Sequence, residues 1–307
     1  MKKGFYISFI VSLIIFSFVF IAVDKSFFSK DRGASIADEE EVDISHEEFE
    51  EPEEIKDEML FLMLGVDSND LDEHSNIRTD TMMLTKVNFN TGEIDLLSIP
   101  RDTRTEVRGK LDKINHAHSY EGIDLTLETV EDFLNIDLDY YVKVNYDAVK
   151  EVVDKIGGVD IDVPKRMKYS DPTAEPPLYI DLDKGQQVLD GDQSLQYLRY
   201  RSYQDGDLGR VAAQQIFIKE FVSQTFSLKN LFKIPSLIKT YYDYVDTNIP
   251  MTTILKGASF KKEDVTDNLN TYTIPGEARM INGGSYYVYE EEATEELIEE
   301  VFGDYIR

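Results

Sequence analysis

The chain has 307 residues, with 32 Lys and Arg against 60 Asp and Glu, a formal charge of −28 and no cysteine. That length admits one large or two small domains. The acidity, with no basic stripe to neutralise a phosphate backbone, excludes nucleic acid as a partner. Without cysteines, the redox compartment cannot be read from disulfides.

Residues Phe5 to Val23 form an uncharged run of nineteen after Lys2 and Lys3. Such a run is long enough to span a bilayer. It exceeds a usual signal-peptide apolar region, and Ile21-Ala22-Val23 offers no small-x-small cleavage site, so an uncleaved signal-anchor is expected. Lys25, Lys30 and Arg32 follow the run, so the positive charges alone do not orient it. A membrane-tethered cytoplasmic domain and an external one both fit at this point. From Ala37 to Glu58 there are thirteen carboxylates against one lysine, nearly half of the net charge. A block this acidic cannot bury a core and reads as a solvated tether. The expected organisation is a cytoplasmic stub and anchor over 1–23, a tether over 24–58 and a folded domain over 59–307.

Met59 to Val66 is apolar throughout, the pattern of a strand buried on both faces, and it ends at Asp67. A polar loop over Ser68–Ile77 precedes a strand at Thr81–Phe89. The turn Asn90-Thr91-Gly92 then returns the chain along Glu93–Ile99 to Pro100. Beyond the hairpin, helix and strand signals alternate. Helices are expected at Asp124–Asn135, at Asp147–Ile156 before Gly157-Gly158, from an Asp190 cap to about Leu198, from about Leu208 to Phe226, and at Glu291–Phe302. Strands are expected at Tyr140–Val144, Val159–Val163 and Leu178–Leu182, with a loop over Pro172–Pro177. This alternation predicts an α/β fold, a central mixed sheet flanked by helices.

The few arginines gather beside carboxylates in three stretches: Arg78-Thr79-Asp80, Arg101-Asp102-Thr103-Arg104, and Arg199-Tyr200-Arg201 continuing to Asp207, Arg210 and Gln214. Guanidinium is a planar, always-charged fork that binds phosphate oxygens in pairs. Asp67 stands at a strand's carboxyl end, where open α/β sheets place ligands, although a turn-forming Asp fits equally. Asp80 could bind Mg²⁺ or pair with Arg78. Pro100 should fix Arg101 rigidly, with Asp102 holding Arg101 or Arg104. His116 and His118 lack a third zinc ligand at a supporting spacing and read as structural. Arg199 and Arg201 share a face only in extended chain. Arg210 and Gln214 share a helix face, in a helix that Asp207 could cap. A helix start flanked by three arginines suits an anion, the alternative being an ion-pair network with Asp205 and Asp207. The apolar run Val211–Phe226 reads as core, or else as the lining of a slot for a lipid tail.

These residues resemble the LytR-CpsA-Psr family, membrane-anchored enzymes that attach anionic glycopolymers to peptidoglycan. The resemblance runs from Met59 to about Phe302, on FLMLGVDS (61–68), RTDTMML (78–84), LLSIPRDT (96–103), KINHAHSYEG (113–122), IGGVDIDVP (156–164), KGQQVLDGDQSLQYLRYR (184–201), DLGR with Gln214-Gln215, and IPGEARMINGGSYY (274–287). It implies an α-β-α arrangement with a pocket for a polyprenyl pyrophosphate and Mg²⁺ at its mouth. It implies that Asp67 and Asp80 serve the metal, and that Arg78, Arg101, Lys113, Arg199, Arg201, Asp207, Arg210 and Gln214 bind substrate. Asp80 and Arg101 would be catalytic, and either aspartate would accept the acceptor's proton or serve only the metal. One departure is Ala213, where a basic residue is common in the family; the lost charge would weaken contact with the head group or shift polymer preference.

The reading that follows is a Mg²⁺-dependent phosphotransferase at the outer face of a Gram-positive-type membrane, with its N-terminus in the cytoplasm. It would move a glycopolymer, teichoic acid among the possibilities, from undecaprenyl pyrophosphate to peptidoglycan. The alternatives are a polyprenyl-pyrophosphate hydrolase using the same site, and a non-enzymatic lipid- or polymer-binding regulator.

Overall fold

The computed structural model describes residues 57–66, 79–172, 177–203, 207–227, 229–230, 233–257 and 268–307. The expected anchor at Phe5–Val23, most of the tether, and Asp67 and Arg78 lie outside them. Among the described residues no helix is long and apolar enough to cross a membrane.

The apolar run becomes β1 (Glu58–Val66), at the heart of a six-stranded sheet. It pairs antiparallel with β2 (Thr79–Asn88) and parallel with β6 (Tyr140–Val144). β3 (Ile94–Ser98) returns beside β2 through the expected hairpin. β12 (Leu269–Thr273) runs parallel to β3 at one edge, and β11 (Val245–Thr247) antiparallel to β6 at the other. The sheet is therefore mixed, as the alternating pattern predicts.

Successive strand residues face opposite sides, so the sheet separates two layers. Leu60, Leu62, Leu64, Met82, Leu84 and Leu97 pack with Val130 and Leu134 of α1 (His116–Leu134) and with Ile298 and Phe302 of α7 (Glu291–Phe302). Each of those side chains is almost wholly buried, worth about 1.5–3 kcal/mol apiece in removing apolar surface from water. On the opposite parity, Thr81 and Ser98 receive hydrogen bonds from Gln214 and Gln215 of α4 (Asp207–Thr225), at 2.9 and 3.0 Å. Helices thus cover both faces.

A second core joins Val153 and Ile156 of α2 (Tyr146–Ile156), Val159, Ile161 and Val163 of β7 (Val159–Val163), Tyr197 of α3 (Gly191–Arg199) and Phe217 of α4. Local signals set these boundaries. The Asn145 side chain accepts from the Ala148 amide, Gly157 ends α2 at φ 90°, and Asp190 with Gln193 forms a capping box. Ala213 is buried in this core, so the missing family charge is here an apolar contact. Val211 and Phe217 are buried as well, as the core reading of their helix requires, while Ile216 on the same helix is exposed.

Two expectations need correction and one is extended. The expected helix at Asp124–Asn135 is present as the second part of α1, and an unexpected helical segment from His116 precedes it across a kink where Glu121 and Gly122 (φ 72°) are non-helical. The arginine pair does not lie in one extended stretch: α3 runs through Arg199, and the chain turns extended at Tyr200 (φ −68°, ψ 129°). Two hairpins also appear where no strand was expected. They are β4 (Arg104–Val107) with β5 (Lys110–Lys113), and β13 (Gly276–Ile281) with β14 (Gly284–Tyr289).

Candidate functional site

The register of β1 and β2 is regular from Glu58↔Asn88 to Gly65↔Thr81, then jumps to Val66↔Thr79. Asp80 is the residue left without a partner, at a β-bulge. Bulges re-aim side chains and gather next to active sites. Here the bulge points a carboxylate at three arginines from three separate segments.

Arg101 supplies the first contact, donating from Nη1 to Asp80 Oδ1. Its position is set by a tight turn in which the Thr103 amide and hydroxyl both bond to the Pro100 carbonyl, at 2.9 and 2.6 Å. The Asn115 amide bonds to the Arg101 carbonyl at 3.2 Å, tying that turn to the start of α1. Arg201 donates from Nη2 to Asp80 Oδ2 at 2.5 Å. It follows buried Tyr200, whose ring packs edge-on against Tyr203, so an apolar anchor holds a half-exposed arginine. Arg210 lies in the first turn of α4, buried, with Nη1 3.9 Å from Asp80 Oδ1.

Three guanidinium groups carry some fifteen N–H donors, whereas a carboxylate offers about four lone-pair sites. Asp80 gathers these guanidinium groups at one point, and planar forks of this kind match the oxygens of a phosphate. Burial alone would raise the Asp80 carboxyl. Arg201, Arg101 and Arg210 overcome that effect, and the Arg101 hydrogen bond adds to theirs, so the group sits below its ordinary value.

The other expected residues divide. Gln214 is buried one turn beyond Arg210 and bonds Thr81, beside the bulge. Lys113 joins the neighbourhood indirectly: its ammonium pairs with Asp102 at 2.9 Å and lies 5.6 Å from the Tyr286 ring centroid. Asp102 is thus the partner of Lys113, not the brace of Arg101 or Arg104 that adjacency suggested. Arg199 ends α3 with its guanidinium 4.5 Å from the Tyr146 ring centroid. Arg199 is the last residue of the helix and Arg201 lies beyond its end, and the two meet different partners, the Tyr146 ring and Asp80. Asp207 opens α4; the role expected of its side chain, like those of Asp67 and Arg78, lies outside the described part of the structure. His116 bonds Asp112 at 2.9 Å, and His118 is buried, in keeping with structural histidines. Among the described residues no three His, Cys, Asp or Glu side chains form a metal-binding group.

Sequence reasoning overlooked Asn115 and the bulge. The Asn115 side chain reaches the Thr79 carbonyl at 3.5 Å while its amide holds Arg101, so it links the two motifs. Its place in KINHAHSYEG was the available signal.

The family model described as the "LytR_cpsA_psr family" matches residues 20–302. The chain belongs to the LytR-CpsA-Psr family. One relative is the polyisoprenyl-teichoic acid–peptidoglycan teichoic acid transferase TagU of Bacillus subtilis (strain 168). It is 31% identical over 249 residues, covering 80% of this chain and 78% of the relative. The protein of the same name from Halalkalibacterium halodurans is 32% identical over 241 residues, 77% of this chain and 76% of its own. The crystal structure of TagV from B. subtilis superposes with a TM-score of 0.67 at 29% identity, over 82% of this chain and 99% of that one. TagT bound to LIIa-WTA gives a TM-score of 0.64 at 26% identity, over 84% and 94%. The mixed sheet with helices on both faces is thus the architecture of this LytR-CpsA-Psr chain and of solved structures it resembles.

Proposed function

We propose that this LytR-CpsA-Psr protein transfers an anionic glycopolymer of the teichoic acid type from a polyprenyl-pyrophosphate carrier to a peptidoglycan hydroxyl. The observation that carries this reading is the convergence of Arg101, Arg201 and Arg210 on the bulged Asp80. TagU relatives named as teichoic acid transferases support it, as does the likeness to TagT bound to LIIa-WTA. Phosphoryl transfer asks a protein for positioning and charge stabilisation more than for covalent chemistry. The acceptor oxygen forms a bond to the phosphorus of the glycan-1-phosphate. The bond from that phosphorus to the carrier's bridging oxygen breaks, the proton of the acceptor hydroxyl passes to water or to the departing phosphate, and the three arginines stabilise that departing polyprenyl phosphate.

Asp80 is poorly suited to accept the acceptor's proton. Both of its oxygens bond to guanidinium groups and its carboxyl is shifted down, whereas a general base works best near the operating pH. In this reading Asp80 orients the arginines and serves a cation. Mg²⁺ commonly takes one or two carboxylates plus substrate phosphates. Asp80 fits as one such hard oxygen donor, and Asp67, next in sequence after Val66, would be the second. When bound, the ion would neutralise pyrophosphate charge. The uncharged Phe5–Val23 run supports a single-pass anchor, with the N-terminus in the cytoplasm and the LytR-CpsA-Psr domain outside, where a peptidoglycan acceptor lies.

The test is transfer from a lipid-linked teichoic acid precursor to peptidoglycan by the purified full-length chain. Arg101→Ala and Asp80→Ala should each lower the rate about a thousandfold. Chelation should abolish transfer and Mg²⁺ restore it. Full transfer by either variant would sink the assignment, and release of polymer into water with none joined to peptidoglycan would make the protein a hydrolase.

A further inference from the structure

Beyond the arginine cluster lies a cavity of about 370 Å³ between the two unexpected hairpins. Arg104 and Leu111 line it from β4 and β5; Asn282, Gly283, Gly284 and Tyr286 line it from the β13–β14 hairpin. In the β4–β5 register Arg104 stands opposite Lys113, and Leu111 opposite Glu106, so Arg104, Glu106, Leu111 and Lys113 share one face. The facing wall turns through Asn282 and Gly283, both at positive φ (51° and 83°), the conformation of a two-residue type I′ hairpin. A side chain at 283 would meet nothing within 4 Å, whereas one at 284 would come within 3.0 Å of the Tyr286 ring. Glycine at 284 therefore leaves that ring its place in the cavity wall.

Two facts point to a ligand. First, Arg104 is only half-buried, yet no hydrogen bond or ion pair engages its guanidinium among the described residues. Its neighbours are occupied: Arg101 with Asp80, Lys113 with Asp102, and Arg108 with Glu121. Second, Arg104 shares the cavity with an aromatic ring, the Asn282 turn and two glycines. An aromatic face beside a few placed polar groups is how a protein holds a small polar ligand in a fixed orientation. The apolar face of a pyranose suits the ring, and a carboxylate suits the guanidinium.

The cavity is joined to the Arg101 turn. The Tyr287 amide bonds to the Asp102 carbonyl at 2.8 Å, and Thr103 pairs with Tyr287. Arg104 is three residues from Arg101, so their backbones are at most about 11 Å apart, the scale of two sugar rings.

We propose that this cavity is the subsite for the acceptor glycan, binding an N-acetylated amino-sugar oligosaccharide that carries a carboxylate. Tyr286 would lie under one sugar ring, and Arg104 would grip the carboxylate. This rests on the transferase reading given above. The donor is already held through its pyrophosphate, whereas an acceptor with no hold of its own would have to be positioned from solution at each turnover. That difference favours the acceptor as occupant over the anionic polymer of the donor.

The experiment measures two things on the full-length protein. One is calorimetric binding of a soluble peptidoglycan oligosaccharide of alternating N-acetylglucosamine and N-acetylmuramic acid. The other is the separate KM values for that acceptor and for the lipid-linked donor. Arg104→Gln and Tyr286→Leu should each weaken oligosaccharide binding and raise the acceptor KM by roughly tenfold or more, with the donor KM within about twofold. Arg104→Lys should recover part of the loss, and circular dichroism should show both variants folded. Absence of binding by the wild-type chain overturns the proposal, as do unchanged binding in both variants or an equal rise in both KM values. Binding that depends on Arg104, in a wild-type chain that transfers nothing, would keep the glycan site and sink the transferase reading.

Discussion

Strand β2 carries an ionic centre near each end, and the two are built differently. Near its far end Lys86 meets Asp95 at 3.2 Å, donates to the Val301 carbonyl at 2.5 Å and lies 5.7 Å from the Phe302 ring centroid. Asn270 completes the group with a 3.0 Å bond to Asp95. One cation faces one anion, with neutral partners filling the remaining directions. Near the first end the strand bulges, and three guanidinium groups crowd one carboxylate. The balanced centre ties β2, β3, β12 and α7 together. The crowded one holds donors in excess of what its carboxylate accepts, on side chains that range from buried Arg210 to half-exposed Arg201. The difference teaches that matched charges in this sheet secure the fold, whereas three like charges gathered on one carboxylate at an irregular strand end suit an anionic ligand.

The largest effect expected from this contrast is on activity. Arg101→Ala should lower transfer about a thousandfold, whereas Asp95→Asn should leave the rate within about threefold. Parallel rate measurements on the two variants would break the comparison if both fell alike. Stability should show the reverse order. Asp95 is buried, so Asp95→Asn leaves Lys86 without its counter-charge and should cost about 2 kcal/mol in chemical denaturation. The figure is kept below that for a fully buried pair because Lys86 retains 19% side-chain exposure. Arg201→Gln, removing a half-exposed charge from a crowd of like charges, should cost under about 1 kcal/mol. Inorganic pyrophosphate sharpens the contrast further. It should raise the melting temperature of the wild-type chain and of Asp95→Asn, and should do so far less for Arg201→Gln.

Much of the scaffold was legible because its signals are local. The unbroken apolar run of β1, the alternation of Val159–Val163 and the caps at Asn145 and Asp190 each act within a few residues. The arginine cluster was legible by composition, since guanidinium beside carboxylate is a chemical pattern whatever the fold. Geometry between distant segments was not legible. Arg201 meets Asp80 across 121 residues, and no local period reports such a contact. The bulge at Asp80 arises from the register against β1 and not from β2 itself. Arg199 was misplaced for a related reason: two arginines two residues apart look alike until the end of α3 falls between them. The hairpins at 104–113 and 276–289 stayed hidden because their strands lack the regular buried apolar alternation of Val159–Val163. Their Arg108-Gly109 and Asn282-Gly283 turns, at positive φ, were the missed clue.

Acid supplies the smallest effect and the finest test of what Asp80 does. Burial favours its neutral form, and the three arginines reverse that preference, so its folded-state pKa lies below the ordinary 3.8. A carboxylate lowered on folding adds stability that is fully present above its unfolded pKa and is lost as pH falls through the folded one. The advantage of the wild-type chain over Asp80→Asn should therefore be flat from neutral pH down to about 5 and shrink below about 4. Denaturation curves for the two proteins across that range would measure it. A difference that grew on acidification would mean that Asp80 is held protonated, and the arginines would then not be its effective partners. If the difference shrinks as expected, adding pyrophosphate should shrink it further at neutral pH, because the ligand would take over part of the compensation that Asp80 gives the arginines. Such an interplay would tie the carboxylate and the phosphate to one set of guanidinium groups, a link that the balanced pair at Lys86 and Asp95 has no means to make.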